Sequence, residues 1–139
     1  GRGVNKKIME NYILKNGLKN FVKIIKFTNN PYPLIKQADL FVLTSKFEGL
    51  PNVLLESQTL KKFVISSNCP TGPREILDNG TNGLLFKIGD YKDLSKKIIY
   101  YNSNKVKLKK MINRGYKRLD RFDFKNNLQK YFLILGKFL

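Results

Sequence analysis

The sequence predicts an α/β domain built on a Rossmann-like parallel sheet flanked by helices, with a helical tail at its C-terminal end. Three observations predict it. Short apolar runs of strand length recur along the chain, segments of helical character follow them, and Gly, Pro and Asn punctuate the junctions. Strands that alternate with helices in this way pair in parallel, because each crossover helix returns the chain to the same end of the sheet.

The elements follow in order. Val4, Ile8, Tyr12 and Ile13 recur at helical spacing and Gly17 is placed as a stop, so residues 4–16 read as a helix. FVKIIKF (21–27) is short and β-branched and reads as a buried strand. TNNPYP (28–33) is a turn, with Pro33 opening a short helix to about Ala38. DLFVLTS (39–45) is almost continuously apolar, as in a strand covered on both faces. A helix from Pro51 to about Leu60, a strand at 63–68, a helix opening at Gly72-Pro73, a turn at 78–83 and a strand at 84–88 follow. Helices around 91–101, 104–118 and 124–137 complete the chain.

Composition narrows the function classes. The chain has 139 residues, 42% hydrophobic and 27% charged, the balance of a globular protein with one core. It opens on Gly1-Arg2-Gly3 rather than Met, which suggests a piece cut from a larger protein; the lone GxG is weak evidence for a phosphate turn. No apolar run is long enough to span a membrane. One cysteine, Cys69, excludes an internal disulfide, and it reads as a packing residue. With no histidine, the commonest general base and metal ligand is missing. Asp90/Asp93 and Asp120/Asp123 are spaced i, i+3 and do not form the DxD of a metal-bound nucleotide site.

The formal charge is +17, and it is unevenly placed: +7 over residues 1–38, −1 over 39–93 and +11 over 94–139. Basic flanks around a neutral middle suit an anionic lipid surface or nucleic acid, and equally a lysine-rich solvated surface. No nucleic-acid-binding motif accompanies the charge.

FEGLPNVLLE (47–56) lies at the carboxyl edge of the predicted sheet, where ligands of such folds bind. The first amides of the helix beyond it lack intrahelical partners and carry the positive end of the macrodipole, a site suited to phosphate. Gly49 lets backbone approach closely, Asn52 and Val53 supply amides, and Lys46 adds charge. Glu48 and Glu56 then flank the phosphate site, one for a sugar and one for a ribose. Glu56 could equally be a surface acid, so the residues alone leave both readings open. In CPTGPREIL (69–77), Thr71 and Gly72 reach the same edge, and Arg74 reads either as a phosphate partner or as a surface arginine.

Taken together, ADLFVLTSKFEGLPNVLLES, CPTGPREILDNGTNGLLF and DYKDLSKKI resemble the C-terminal, donor-binding half of a GT-B glycosyltransferase of the retaining, GT4-like (glycosyl transferases group 1) family. The resemblance runs in order from residue 1 to about 101, and its most specific element is the E-x7-E spacing of Glu48 and Glu56. It implies that Glu48 is the catalytic-site acid holding the donor sugar and that Glu56 binds the ribose. Backbone from Gly49 through Leu50, Pro51 and Asn52 to Val53 would hold the diphosphate, with Lys46, Gly72 and Arg74 alongside. It implies a nucleotide-sugar donor, an acceptor glycan or lipid-linked sugar, and neither metal nor other cofactor. A missing N-terminal domain would carry the acceptor site and leave this piece inactive alone. The setting implied is bacterial polysaccharide or lipopolysaccharide synthesis, cytoplasmic or peripheral at the inner face of the membrane. A sugar-nucleotide epimerase or phosphorylase is disfavoured by the E-x7-E spacing. A noncatalytic nucleotide-sugar or carbohydrate module and a basic nucleic-acid-binding domain are the alternatives. Two departures stand out: Lys61-Lys62 replace a glycine-containing turn, and CPTGP replaces a double glycine.

Overall fold

A computed structural model describes residue 3 and residues 5–137. The chain divides into two compact units, Gly1–Pro31 and Tyr32–Leu139.

The first unit holds one regular element among its described residues, helix α1 (Lys6–Lys15). Its predicted start at Val4 lies outside the described residues. Gly17 ends it as expected, with φ +67°: the Gly17 amide donates to the Leu14 carbonyl and the Leu18 amide to that of Ile13, the paired bonds of a Schellman turn. The predicted strand 21–27 does not form. Among the described residues this stretch is not part of the sheet, and Phe21 and Phe27 are 85% and 69% exposed. β-branched residues fit a pleated, half-buried surface but do not create one.

The second unit carries the sheet. Its elements are α2 (Tyr32–Gln37), β1 (Leu40–Leu43), α3 (Asn52–Thr59), β2 (Phe63–Ser67), α4 (Pro73–Ile76), a 3₁₀ turn (Asp78–Gly80), β3 (Leu84–Phe86), α5 (Tyr91–Ser103), α6 (Lys105–Lys117), a second 3₁₀ turn (Arg118–Phe122) and α7 (Phe124–Leu135). The strands pair in parallel in the order β1-β2-β3, with Leu40 opposite Phe63 and Ile65 opposite Leu84. Among the described residues, three strands thus form where four were predicted.

Strand alternation sends side chains to two cores. Phe63, Ile65 and Phe86 meet Tyr101 of α5 and Leu108 of α6 on one face. Val64 meets Leu54 of α3 and Ile76 and Leu77 of the α4 region on the other, with Phe41, Leu43 and Phe122 packed alongside. Every residue of β2 is buried, which explains its unbroken apolar start. Phe63 and Tyr101 stack with centroids 4.8 Å apart, and the Tyr101 hydroxyl donates to the Asp39 carbonyl at 2.8 Å. Burying a ring the size of Phe63 contributes roughly 2 kcal/mol.

Lys61 closes α3 where a glycine was expected. It adopts φ +52°, and the amides of Lys61 and Lys62 donate to the carbonyls of Gln58 and Ser57, both at 2.9 Å. The turn is a Schellman motif made with a lysine.

Candidate functional site

The segment between β1 and α3 runs along the carboxyl edge of the sheet, as the sequence predicts. Helix α3 begins at Asn52, one residue later than predicted, and the buried Pro51 is its N-cap. Proline has no side-chain acceptor, so nothing caps this end. The Leu54 amide turns back to the Pro51 carbonyl at 2.9 Å. Among the described residues, the amides of Gly49, Leu50, Asn52 and Val53 donate to no protein acceptor. A run of unpartnered N–H groups at a helix start is a site of positive potential.

Glu48 and Glu56 are both half-buried. Among the described residues neither carboxylate takes part in a salt bridge or hydrogen bond, although the chain carries 27 lysines and arginines. Glu56 lies four residues after Asn52, on the same helical face one turn on. Lys46, Gly49, Leu50 and Asn52 are exposed, and Val53 is half-buried, its carbonyl accepting from Ser57 Oγ at 2.7 Å.

The loop after β2 braces this segment. Ser67 Oγ and Cys69 Sγ donate to the Ser45 carbonyl at 2.6 and 3.0 Å, and Thr71 Oγ1 donates to the Glu48 carbonyl. Cys69 is buried and bonded in this way, a structural residue as its lone occurrence suggested. Gly72 is buried against the backbone of Gly49 with φ +76°, a conformation glycine adopts readily. The structure therefore brings Glu48, Gly49, Pro51 and Gly72 together.

Arg74 is placed differently from the acids. It is exposed, and its Nε donates to Asn68 Oδ1 at 3.2 Å. With Thr71, Gly72 and Arg121 it lines a cavity of about 460 Å³ that neither Glu48 nor Glu56 lines. The two acids, with their unpartnered amides, carry more chemical information than this cavity, whose arginines are already engaged with protein oxygens. Sequence reasoning missed Arg121: its Nη2 lies 3.4 Å from the carbonyls of both Glu75 and Ile76, at the end of α4. No local pattern signals a partner 45 residues away.

Among the described residues, no three His, Cys, Asp or Glu side chains gather into a set that could hold a metal ion, and no helix is long and apolar enough to cross a membrane.

Comparison with known proteins bears on the family and the fold. An uncharacterized glycosyltransferase of Methanocaldococcus jannaschii is 42% identical over 77 residues, covering 55% of this chain and 19% of the relative. A Campylobacter jejuni N-acetylgalactosamine-N,N'-diacetylbacillosaminyl-diphospho-undecaprenol 4-alpha-N-acetylgalactosaminyltransferase is 33% identical over 88 residues, covering 63% of this chain and 24% of the relative. The match thus spans about a quarter or less of these relatives' lengths. Among solved structures, Anabaena HepE in complex with UDP superposes with a TM-score of 0.85 at 25% identity, over 94% of this chain and 36% of that one. The C-terminal domain of a Francisella tularensis glycosyl transferase group 1 protein gives a TM-score of 0.69 at 24% identity, over 86% of this chain and 62% of that one. The fold, a parallel sheet flanked by helices, is that expected of the C-terminal domain of a GT-B glycosyltransferase. The family model for glycosyl transferases group 1 matches residues 1–118, and the chain belongs to that family.

Proposed function

We propose that this chain is the donor-binding domain of a retaining glycosyltransferase that takes its sugar from a nucleotide-diphosphate donor. The observation that carries the reading is the pair of half-buried carboxylates, Glu48 and Glu56, which have no hydrogen-bond or ion-pair partner among the described residues and lie on either side of an uncapped helix start. The unpartnered amides from Gly49 to Val53 receive the diphosphate, and Lys46 adds its charge. Glu48 accepts from the hydroxyls of the transferred sugar, and Glu56 accepts from the ribose. Arg74 and Gly72 border the phosphate side, and the site works without a metal ion. A relative named for an undecaprenol-linked acceptor supports cell-surface polysaccharide or lipopolysaccharide synthesis as the setting. The +11 charge of residues 94–139 suits a cytoplasmic enzyme that touches anionic lipid, where each lysine near the surface contributes about 1 kcal/mol.

Calorimetric titration with UDP, GDP and their hexose conjugates tests the proposal. The wild-type chain binds one series, and Glu56→Ala removes the binding while leaving the fold intact. A folded wild-type chain that binds no nucleotide, or a Glu56→Ala variant that binds as tightly, sinks the ribose role. Tight, steeply salt-dependent association with DNA in place of nucleotide binding favours the basic nucleic-acid reading.

A further inference from the structure

The segment from Ser45 to Gly49 is pinned at three points by the loop after β2. Its start is fixed by buried groups, Ser67 Oγ and Cys69 Sγ on the Ser45 carbonyl. Its end is fixed by Gly72 against the Gly49 carbonyl. Between them stands one bond from an exposed side chain, Thr71 Oγ1 to the Glu48 carbonyl. That carbonyl belongs to the peptide joining Glu48 to Gly49. In a planar trans peptide the C=O and N–H point in opposite directions, so holding one aims the other. The N–H in question is that of Gly49, which donates to no protein acceptor among the described residues. Gly49 has no Cβ, and nothing lies within 4 Å of where one would be, so no side chain of its own restricts the backbone on this side of the peptide.

We propose that Thr71 is a positioning residue of the donor site: its hydroxyl sets the plane of the 48–49 peptide and thereby aims the Gly49 amide at the donor. This rests on the reading of Glu48 and Gly49 as donor contacts. Thr71 is exposed, so its methyl buries little, and removing the hydroxyl tests the bond rather than the packing.

The test compares Thr71→Val, which keeps the shape, with Thr71→Ser, which keeps the hydroxyl. Each is titrated with UMP and GMP, which reach the ribose contact, and with UDP- and GDP-hexoses, which reach the whole site. Thr71→Val weakens the diphosphohexose by about five- to tenfold, the loss expected of one ordinary hydrogen bond, and leaves the monophosphate within about twofold. Thr71→Ser restores the wild-type affinity. The ¹⁵N order parameter of the Gly49 amide falls in Thr71→Val and recovers in Thr71→Ser, with the melting temperature unchanged. Equal loss of both ligand classes makes the residue a general structural support and overturns the proposal. So does a Thr71→Val variant that matches wild type in affinity and in Gly49 order. A wild-type chain that binds neither class overturns the donor-site reading itself, an outcome recognisable before any variant is made.

Discussion

Gly72 stands so close to Gly49 that a Cβ on it would lie 1.9 Å from the Gly49 carbonyl oxygen and 2.6 Å from Cδ of Pro51. Two loops that are distant in sequence thus meet backbone to backbone at the edge of the sheet. With φ +76° and ψ −70°, Gly72 also occupies the γ-turn region that other residues enter only under strain. Gly72→Ala therefore meets two penalties, one steric and one conformational. We expect a loss of about 3 kcal/mol or more, since the conformational cost alone is about 1–3 kcal/mol and the blocking atoms are backbone. Thermal melting and nucleotide titration of the variant check this, and a wild-type melting temperature would refute it.

Glu48→Gln separates sugar from nucleotide. The amide keeps the shape of the side chain and loses its charge, and no ion pair among the described residues depends on that charge. Nucleoside diphosphate affinity should stay within about twofold, while the diphosphohexose loses about 1–2 kcal/mol from weakened charge-assisted bonds. Calorimetry with the paired ligands reads both numbers.

Arg121→Ala uncouples the second 3₁₀ turn from α4. The guanidinium lies 3.4 Å from the carbonyls of Glu75 and Ile76, and its Nε donates to Arg118 at 3.2 Å. These bonds are long and partly solvated, so the expected loss is about 1 kcal/mol. Lysine, a single point donor, should recover only part of it. Chemical denaturation of the two variants provides the comparison.

Lys61→Gly is expected to change the stability of the chain by less than about 1 kcal/mol. A lysine at φ +52° costs about 1–2 kcal/mol relative to the right-handed form, and glycine removes that cost. Against this stand glycine's greater freedom in the unfolded chain and the loss of the Lys61 ammonium over the Tyr116 ring, 4.6 Å from its centroid, worth about 0.5–1 kcal/mol. By these magnitudes the opposing effects nearly cancel, and the net change should stay within about 1 kcal/mol of zero. A destabilised variant would show that the ring contact outweighs the strain.

Asp93 gives the chain an acid-sensitive contact. Its carboxylate accepts a hydrogen bond from Lys97, paired at 3.0 Å, and another from the Lys87 amide at 3.2 Å, and these hold its pKa below the ordinary value. The folded state thus favours the ionised form. Its stabilisation is fully present above the unfolded pKa of about 3.9 and disappears as pH falls through the lower folded value. Asp93→Asn should therefore be less stable than wild type at neutral pH and converge with it at the acid end. Denaturation midpoints at neutral pH and below pH 4 measure the convergence.

Much of the site was legible because its chemistry is local. Pro51 ahead of an apolar helix, glutamates eight apart and glycines at both loops are short-range features, and the structure places them at one sheet edge. The strand expected at 21–27 was misread for the converse reason. Its β-branched pattern is local, but a strand needs a sheet to join, and among the described residues this stretch is not part of one. Arg121 and Thr71 were hard to assign because each acts on a carbonyl far along the chain, through an oxygen that every residue possesses.

By itself, the sequence determined the alternation of strands and helices, the Schellman stop at Gly17 and the uncapped start of α3, because turn chemistry and proline's missing acceptor act within a few residues. The family followed from the spacing of such motifs along the chain. Tertiary structure decided which strands pair, and that a lysine could close α3. It also decided that Thr71 and Gly72 would hold the Glu48–Gly49 backbone. These outcomes depend on the distance and direction of groups far apart in sequence, and only packing two loops onto one sheet edge fixes both.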